Sequence, residues 1–259
     1  MMHAIAFMLF LAMLACGGGP AAAERLVVSL SKQQVAISSN FVGDELVLFG
    51  TIEPDDRAAA ARSAYDLVIT VTGPRQTLRT RRKQRVVGIW VNVDSREFVR
   101  VPSYLAILSS RPVAEIAQPD ILRRLQIGLG NFLLPQRIGS DIADTVNDDP
   151  FRRAFVHLQI QHGLYRESGS AVIFLTPAVF RAAIPLPADV PLGNYAIDVK
   201  LFADGKLAAR TNSTLEVTKA GFEQYVADAA RDHGLVYGLA TMLMALLTGW
   251  IASVVFKRD

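Results

Sequence analysis

From Leu235 to Phe256 the chain reads LVYGLATMLMALLTGWIASVVF, 22 residues without a charged side chain. At about 1.5 Å of rise per residue, a helix of that length crosses a hydrocarbon core of about 30 Å. The helices of soluble cores rarely need a charge-free run beyond about 18 residues, so the segment predicts a transmembrane helix. Lys257 and Arg258 follow at once, and the positive-inside tendency keeps such a flank in the cytoplasm. Residues 257–259 are therefore expected to form a cytoplasmic tail, with Glu24 to Gly234 on the other side of the inner membrane.

A second apolar stretch opens the chain. Ala4 to Ala15 is apolar, a Gly/Pro break follows, and Ala21-Ala22-Ala23 fits a small-residue cleavage rule. Residues 1–23 read as a secretory signal peptide, although no Lys or Arg precedes the apolar core. The one cysteine, Cys16, would leave with it, and the periplasmic region would rely on its size rather than on disulfides for stability. Ala15 and Gly17 also suit a lipidated Cys16, whereas Met13 and Leu14 do not, so both fates stay open.

Between the ends, hydrophobicity alternates with period two. Leu26, Val28 and Leu30 set the pattern, and similar runs cover Glu45 to Ile52, Tyr65 to Thr72, Val87 to Val93 and Tyr104 to Leu108. About seven short strands broken by turn residues predict an immunoglobulin-like β-sandwich over residues 24–110. The Ala-rich piece Ala58 to Ala61 reads as a loop or a single helical turn.

Residues 111–163 form a helical connecting segment in this reading. Ile121, Leu122, Leu125, Leu129, Phe132 and Leu133 recur at helical spacing after Pro119. Asp149 as N-cap, Pro150 at the first helical position and Gly163 at the stop frame a second helix. Alternation returns in Ala171 to Leu175, Val179 to Leu186, Tyr195 to Phe202 and Lys206 to Val217. Asp204-Gly205 makes a tight hairpin, which gives a second β-unit over 164–218. A juxtamembrane helix at 219–234, with Phe222, Tyr225, Val226 and Ala229 on one face, leads to the span at 235–256. The fold class expected is mainly β: a sandwich, a second β-unit, an intervening helical segment and one C-terminal transmembrane helix.

Candidate sites are few. The chain has no Gly-rich phosphate loop, His-Glu-x-x-His, Gly-x-Ser-x-Gly or Cys-x-x-Cys, so no catalytic residue, cofactor or metal is assigned. His157 and His162 are five apart on a helix, roughly 140° around its axis, and cannot readily share a metal. Asp141, Asp144, Asp148 and Asp149 lack the spacing and central glycine of an EF-hand loop and read as a solvated linker entering an N-cap.

The densest charge is RTRRKQR, with Arg79, Arg81, Arg82, Lys83 and Arg85. Outside the cytoplasm it would not meet nucleic acid. The net charge of the whole chain is only +3, so the cluster is a local feature. A strand edge protected by cations, an acidic partner or small oxyanion, and phospholipid headgroups all fit it. Inside the span, Thr241, Ala245, Gly249 and Ser253 fall at four-residue steps. Small side chains stacked along a helix let another helix approach, which predicts a membrane-protein partner or self-association.

Four segments taken together carry a resemblance: GPRQTLRTRRKQRVVGIWVN, FRRAFVHLQIQHGLY, VIFLTPAVFRAAIPLPADVPLGNYAIDVKLFADGKL and the C-terminal GFEQYVADAARDHGLVYGLATMLMALLTGWIASVVFKRD. In this order they resemble the predicted alphaproteobacterial transmembrane protein family, over nearly all of the mature chain. That family has no assigned activity, so no catalytic or ligand residue carries over. The resemblance implies a partner among multi-pass exporters of sulfite-like anions. The function expected is a non-enzymatic, single-span accessory or scaffolding subunit of a membrane transport complex. A membrane-anchored periplasmic ligand-binding or sensing module is the alternative.

Overall fold

The computed structural model describes residues 24–38, 40–53, 65–144, 148–221, 226 and 230–255. The signal peptide, Cys16, Ala58 to Ala61, most of the juxtamembrane helix with Phe222, Tyr225 and Ala229, and the tail at 257–259 lie outside the described residues.

The alternating segments become two stacked sheets. Sheet A joins β1 (Arg25–Leu30), β3 (Gly43–Glu53), β12 (Val179–Pro187) and β11 (Val172–Thr176) in that order, with every pairing antiparallel. Sheet B joins β10 (Tyr165–Ser168), β7 (Leu105–Ser109), β4 (Tyr65–Thr72), β13 (Gly193–Ala203), β14 (Lys206–Lys219) and β2 (Gln34–Ile37). The two outer pairings of sheet B, β10 on β7 and β2 on β14, are parallel. Leu46, Leu48 and Ile52 from β3, with Phe180, Ala182 and Ile184 from β12, meet Ile69, Val71, Ile197, Val199 and Leu215 of sheet B in a closed core. Each Val, Leu, Ile or Phe among them contributes about 1.5–3 kcal/mol on full burial. Gly50 is required there, because it sits opposite Phe180 and a Cβ would lie 2.2 Å from the ring.

The fold is mainly β, as the periodicity predicts, but its two strand-rich stretches do not stand apart. β12 lies on β3, β13 on β4 and β14 on β2, so residues 24–110 and 164–218 share both sheets. Alternation along a strand reports which face is buried and is silent on which strand lies alongside.

The segment between them covers the outer face of sheet B. Val68, Leu105, Ile107 and Phe202 point away from the sandwich core. They are buried by α1 (Val113–Ile116), α2 (Pro119–Arg124) and α3 (Pro150–Gln161), together with Phe98, Val101, Ile127, Phe132 and Leu134. α3 follows its signals. Asp149 accepts from the Arg152 N–H at 2.8 Å, Pro150 opens the helix, and Gly163 at φ 70° closes it as the Leu164 N–H reaches the Gln159 carbonyl.

α2 is shorter than its periodicity predicts and stops before Leu125. Gln126 takes the left-handed conformation at φ 53°, and the N–H groups of Gln126 and Ile127 bond back to Arg123 and Leu122. This is a Schellman stop without the glycine that would announce it. Leu129, Phe132 and Leu133 therefore belong to an irregular loop. Of the expected solvated linker entering an N-cap, Asp149 is the N-cap and Asp148 is exposed, whereas Asp141–Asp144 form a strand. β8 (Pro135–Ile138) and β9 (Asp141–Asp144) form a hairpin, and Asp144 pairs with Arg152 at 2.9 Å. Arg152, only 3% exposed, also donates to the Phe132 carbonyl at 2.6 Å. The loop carbonyl and Asp144 together offset the cost of burying its charge.

α4 (Gly234–Val255) is one helix long and apolar enough to span a membrane, with none of its spanning window buried by the rest of the chain.

Three buried tyrosines each donate to a proline carbonyl: Tyr104 across the sandwich to Pro185 of β12, Tyr195 locally to Pro191 at 2.6 Å and Tyr165 to Pro102 at 2.7 Å. Burial pushes all three phenols above their ordinary range, so they stay neutral donors. Tyr165→Phe keeps the ring stacked edge-on to Phe155 and removes only the donor. Denaturant unfolding of the detergent-solubilised protein should show a loss of about 1–2 kcal/mol, and an unchanged midpoint would refute the structural role of this bond.

Candidate functional site

The basic cluster lies on a long two-stranded arm. β4 and β7 pair as far as Thr72 and Leu105, and the ladder then continues without a break. The Gly73 N–H donates to the Tyr104 carbonyl, the Ser103 N–H donates to the Pro74 carbonyl, and Arg75 pairs with Pro102. β5 (Arg75–Val86) and β6 (Ile89–Pro102) thus extend a central hairpin of sheet B past the end of that sheet. Twelve residues at about 3.3 Å each give the arm a length of about 40 Å. Register shifts after Gln76 and after Arg82 each leave one extra residue in β6, and such bulges bend and twist a ladder. A third strand, β8, supports the arm only at Glu97 and Phe98, and α3 lies alongside its base, where Phe98 stacks on Phe155 with ring centroids 4.2 Å apart.

Beyond that base both faces of the arm are open. Arg79, Arg81, Lys83 and Arg85 alternate onto one face, and Arg82 takes the other opposite Asp94. Among the described residues, Arg79, Arg81, Arg82, Lys83 and Arg85 make no ion pair within 4 Å, and Arg85 donates to the Gly88 carbonyl of the turn. Along the outer edge of β5, Arg81, Arg82 and Lys83 border a notch of about 290 Å³ whose other wall is Pro150, Phe151 and Ala154 at the start of α3. Val87, Ile89, Val91 and Val93, expected to share one strand face, do not form one continuous face here. Val87 sits in the turn, Val93 is the extra residue of a bulge, and Val87, Ile89 and Trp90 are 98%, 68% and 69% exposed.

The turn itself is strained. Val87 and Gly88 both have positive φ, 49° and 87°. That conformation favours Asn or Asp before Gly, and costs a β-branched residue about 1–2 kcal/mol. An almost fully exposed valine recovers none of this within the chain.

The membrane-helix stripe has a different character. Thr241, Ala245, Gly249 and Ser253 lie along α4, and the Thr241 hydroxyl bonds back to the carbonyls of Tyr237 and Gly238. Its polarity is thus satisfied within the helix, as a lipid-facing or helix-facing surface requires. Nothing within 4 Å of a Cβ at Gly249 would block a neighbour.

A further feature escaped the sequence reading. Where the helical cover of sheet B ends, β4, β13 and β14 expose a polar row. Thr70 pairs with Asp198, Asp198 with Asn212, and Lys200 with Arg210. These residues floor a recess of about 640 Å³, walled by Arg75, Arg124, Leu125, Gln126 and Phe132. Asp198 is saturated: Arg210 donates to both its oxygens at 2.7 and 3.0 Å, Lys200 donates to Oδ2, and the Asn212 amide nitrogen, turned toward it, lies 3.0 Å from Oδ1. Lys200 is 3% exposed. Burial draws its pKa below the ordinary lysine range, a pull that Asp198 partly opposes. The signal was present in sequence as polar residues at alternate positions within strands whose other face is apolar, but nothing marked them as neighbours.

The histidines stay apart from these sites: His157 lines a small cavity beside Arg152 and Arg153, and His162 caps α3. Among the described residues no three His, Cys, Asp or Glu side chains converge as a metal site.

Two solved structures are similar to part of this architecture. One is Spo0M, a sporulation control protein from Bacillus subtilis, at 10% identity and a TM-score of 0.28; the match covers 81% of this chain and 55% of that one. The other is AggA, the major subunit of aggregative adherence fimbriae type I from Escherichia coli, at 11% identity and a TM-score of 0.28, covering 76% and 95%. Neither likeness bears on function. No curated protein matches the chain. A family model does match, over residues 25–258, and it agrees with the exposed apolar helix α4 on membrane association. The chain belongs to the family described as "Putative transmembrane protein (Alph_Pro_TM)".

Proposed function

We propose that the protein is a non-enzymatic accessory or scaffolding subunit of an inner-membrane transport complex, anchored by α4 with its β-body in the periplasm and its C-terminus in the cytoplasm. The observation that carries this reading is topological. β14 runs toward the end of sheet B at which β4 passes into the arm, since Thr72 pairs with Ala196 and Ala196 with Thr214. The chain therefore leaves for the membrane from the same end as the arm, and only 14 residues separate Lys219 from Gly234.

In this reading the span and the arm serve one surface. α4 offers a small-residue stripe to a partner helix within the bilayer. The arm brings Arg81, Lys83, Arg85 and Trp90 to the membrane face, where cations meet anionic headgroups and an amphipathic ring suits the interface. Valine at the strained turn then has a use, because its exposed side chain meets an apolar surroundings outside the chain. A membrane-anchored ligand-binding module is the second reading, and the cation-lined recess on sheet B is the observation that favours it.

Purification from native membranes in mild detergent, with mass spectrometry of companions, tests the first reading. A multi-pass protein should accompany the wild type and be lost with the double variant Ala245→Ile, Gly249→Ile. Recovery of the same companion with both would place assembly elsewhere than the span. In denaturant unfolding, Arg81→Ser, Arg82→Ser, Lys83→Ser should leave the stability within about 0.5 kcal/mol of wild type, since the three side chains are exposed. It should nonetheless weaken sedimentation with vesicles containing anionic lipid; undiminished sedimentation would remove the arm from the membrane contact.

A further inference from the structure

The recess on sheet B holds more positive charge than the chain itself uses. Arg75, Arg124, Lys200 and Arg210 line it against one carboxylate, Asp198. Asp198 spends its oxygens on Lys200, Arg210 and Asn212. Arg75 donates to the Arg100 carbonyl, a neutral partner, and Arg124 forms no ion pair among the described residues. A second observation is independent of charge. The Thr70 hydroxyl is buried at 5% residue exposure, lies in the lining of this recess, and has no hydrogen-bond partner among the described residues. Buried hydroxyls are normally satisfied, and an unpaired one at the floor of a cationic recess calls for an acceptor from outside.

We propose that the recess binds a small oxyanion of the sulfate or phosphate class, with Arg75 and Arg124 supplying guanidinium donors, Lys200 a buried positive charge and Thr70 a hydroxyl donor. The chemistry selects this class for two reasons. Guanidinium groups match the paired oxygens of an oxyanion, and a tetrahedral anion has enough acceptor oxygens for the hydroxyl and the cations together. Asp198 does not compete, because its lone pairs are taken. It serves instead to hold Lys200 and Arg210 in place and to limit their mutual repulsion. The inference goes beyond the accessory-subunit reading and is independent of the span: a complex lost with the α4 variant would leave it standing, and an empty recess would leave that reading standing.

The test is thermal unfolding of the full-length protein in detergent, titrated with sodium sulfate and with inorganic phosphate against sodium chloride at matched ionic strength. A saturable rise in midpoint with either oxyanion, absent with chloride, is the expected result, because only a ligand of the folded state stabilises in this way. Arg124→Gln removes an exposed wall residue, and Thr70→Val removes a hydroxyl that has no hydrogen-bond partner among the described residues. Both should fold without loss of stability in chloride and bind the oxyanion about tenfold more weakly. No oxyanion effect beyond chloride would overturn the proposal, as would equal oxyanion shifts in wild type and both variants.

Discussion

One backbone ladder organises the molecule: the antiparallel pairing that runs from Val68 with Ser109, through Gly73 with Tyr104, to Val86 with Ile89, with two bulges in its outer half. Its inner half supplies β4 and β7, two central strands of sheet B, whose faces are apolar on both sides. Leu67, Ile69 and Val71 fill the sandwich core, while Val68, Leu105 and Ile107 require cover on the other face. That requirement gives the connecting segment its role, because α1, α2 and α3 lie over exactly the apolar part of the sheet. The outer half of the same ladder has no such cover beyond Thr80 and Arg96, where Arg96 lies over the Phe151 ring. The arm is therefore a continuation of strands from the core rather than a loop attached to it, and it leaves the sheet from β4 and β7 in its middle.

The recess and the helical cover follow from the same face of sheet B. At Val68 and Phe202 the outward side chains are apolar and the helices dock. Two to four residues further along the same strands, Thr70, Lys200 and Asp198 replace them and the cover stops. Lys200 sits at this border, in register with Val68 and Arg210, which is why it is buried while its ammonium still reaches Asp198. A single sheet face thus divides into a structural part and a polar part.

Much of this was legible in the sequence. Tyr65 to Thr72, the strands from Val172 to Lys219 and the Asp204-Gly205 turn follow from alternation and turn chemistry; α3 follows from Asp149, Pro150 and Gly163; α4 follows from the absence of charge over 22 residues. The pairing of β3 with β12 and of β4 with β13 was not legible, because period two marks buried faces and leaves the neighbours unnamed. The stop of α2 was hidden by Gln126 standing where glycine is usual. That Val87 to Val93 belong to a strand was legible from their alternation, and a cation-protected edge was among the readings of the basic run, but the length of the arm and the exposure of both faces near its tip were not. The basic cluster was seen, but not the strained Val87-Gly88 turn that presents it, and the recess was invisible because its residues come from three strands.

The most direct test of the account asks where the arm tip lies when α4 is in a bilayer. The chain has two tryptophans, so Trp250→Phe leaves Trp90 as the only indole reporter. In the full-length protein reconstituted into vesicles, the account predicts that lipids brominated near the headgroup end of the acyl chain quench Trp90 emission and that aqueous iodide quenches it weakly. Full quenching by iodide with no response to brominated lipid would put the tip in bulk water and contradict the claim that span and arm serve one membrane surface.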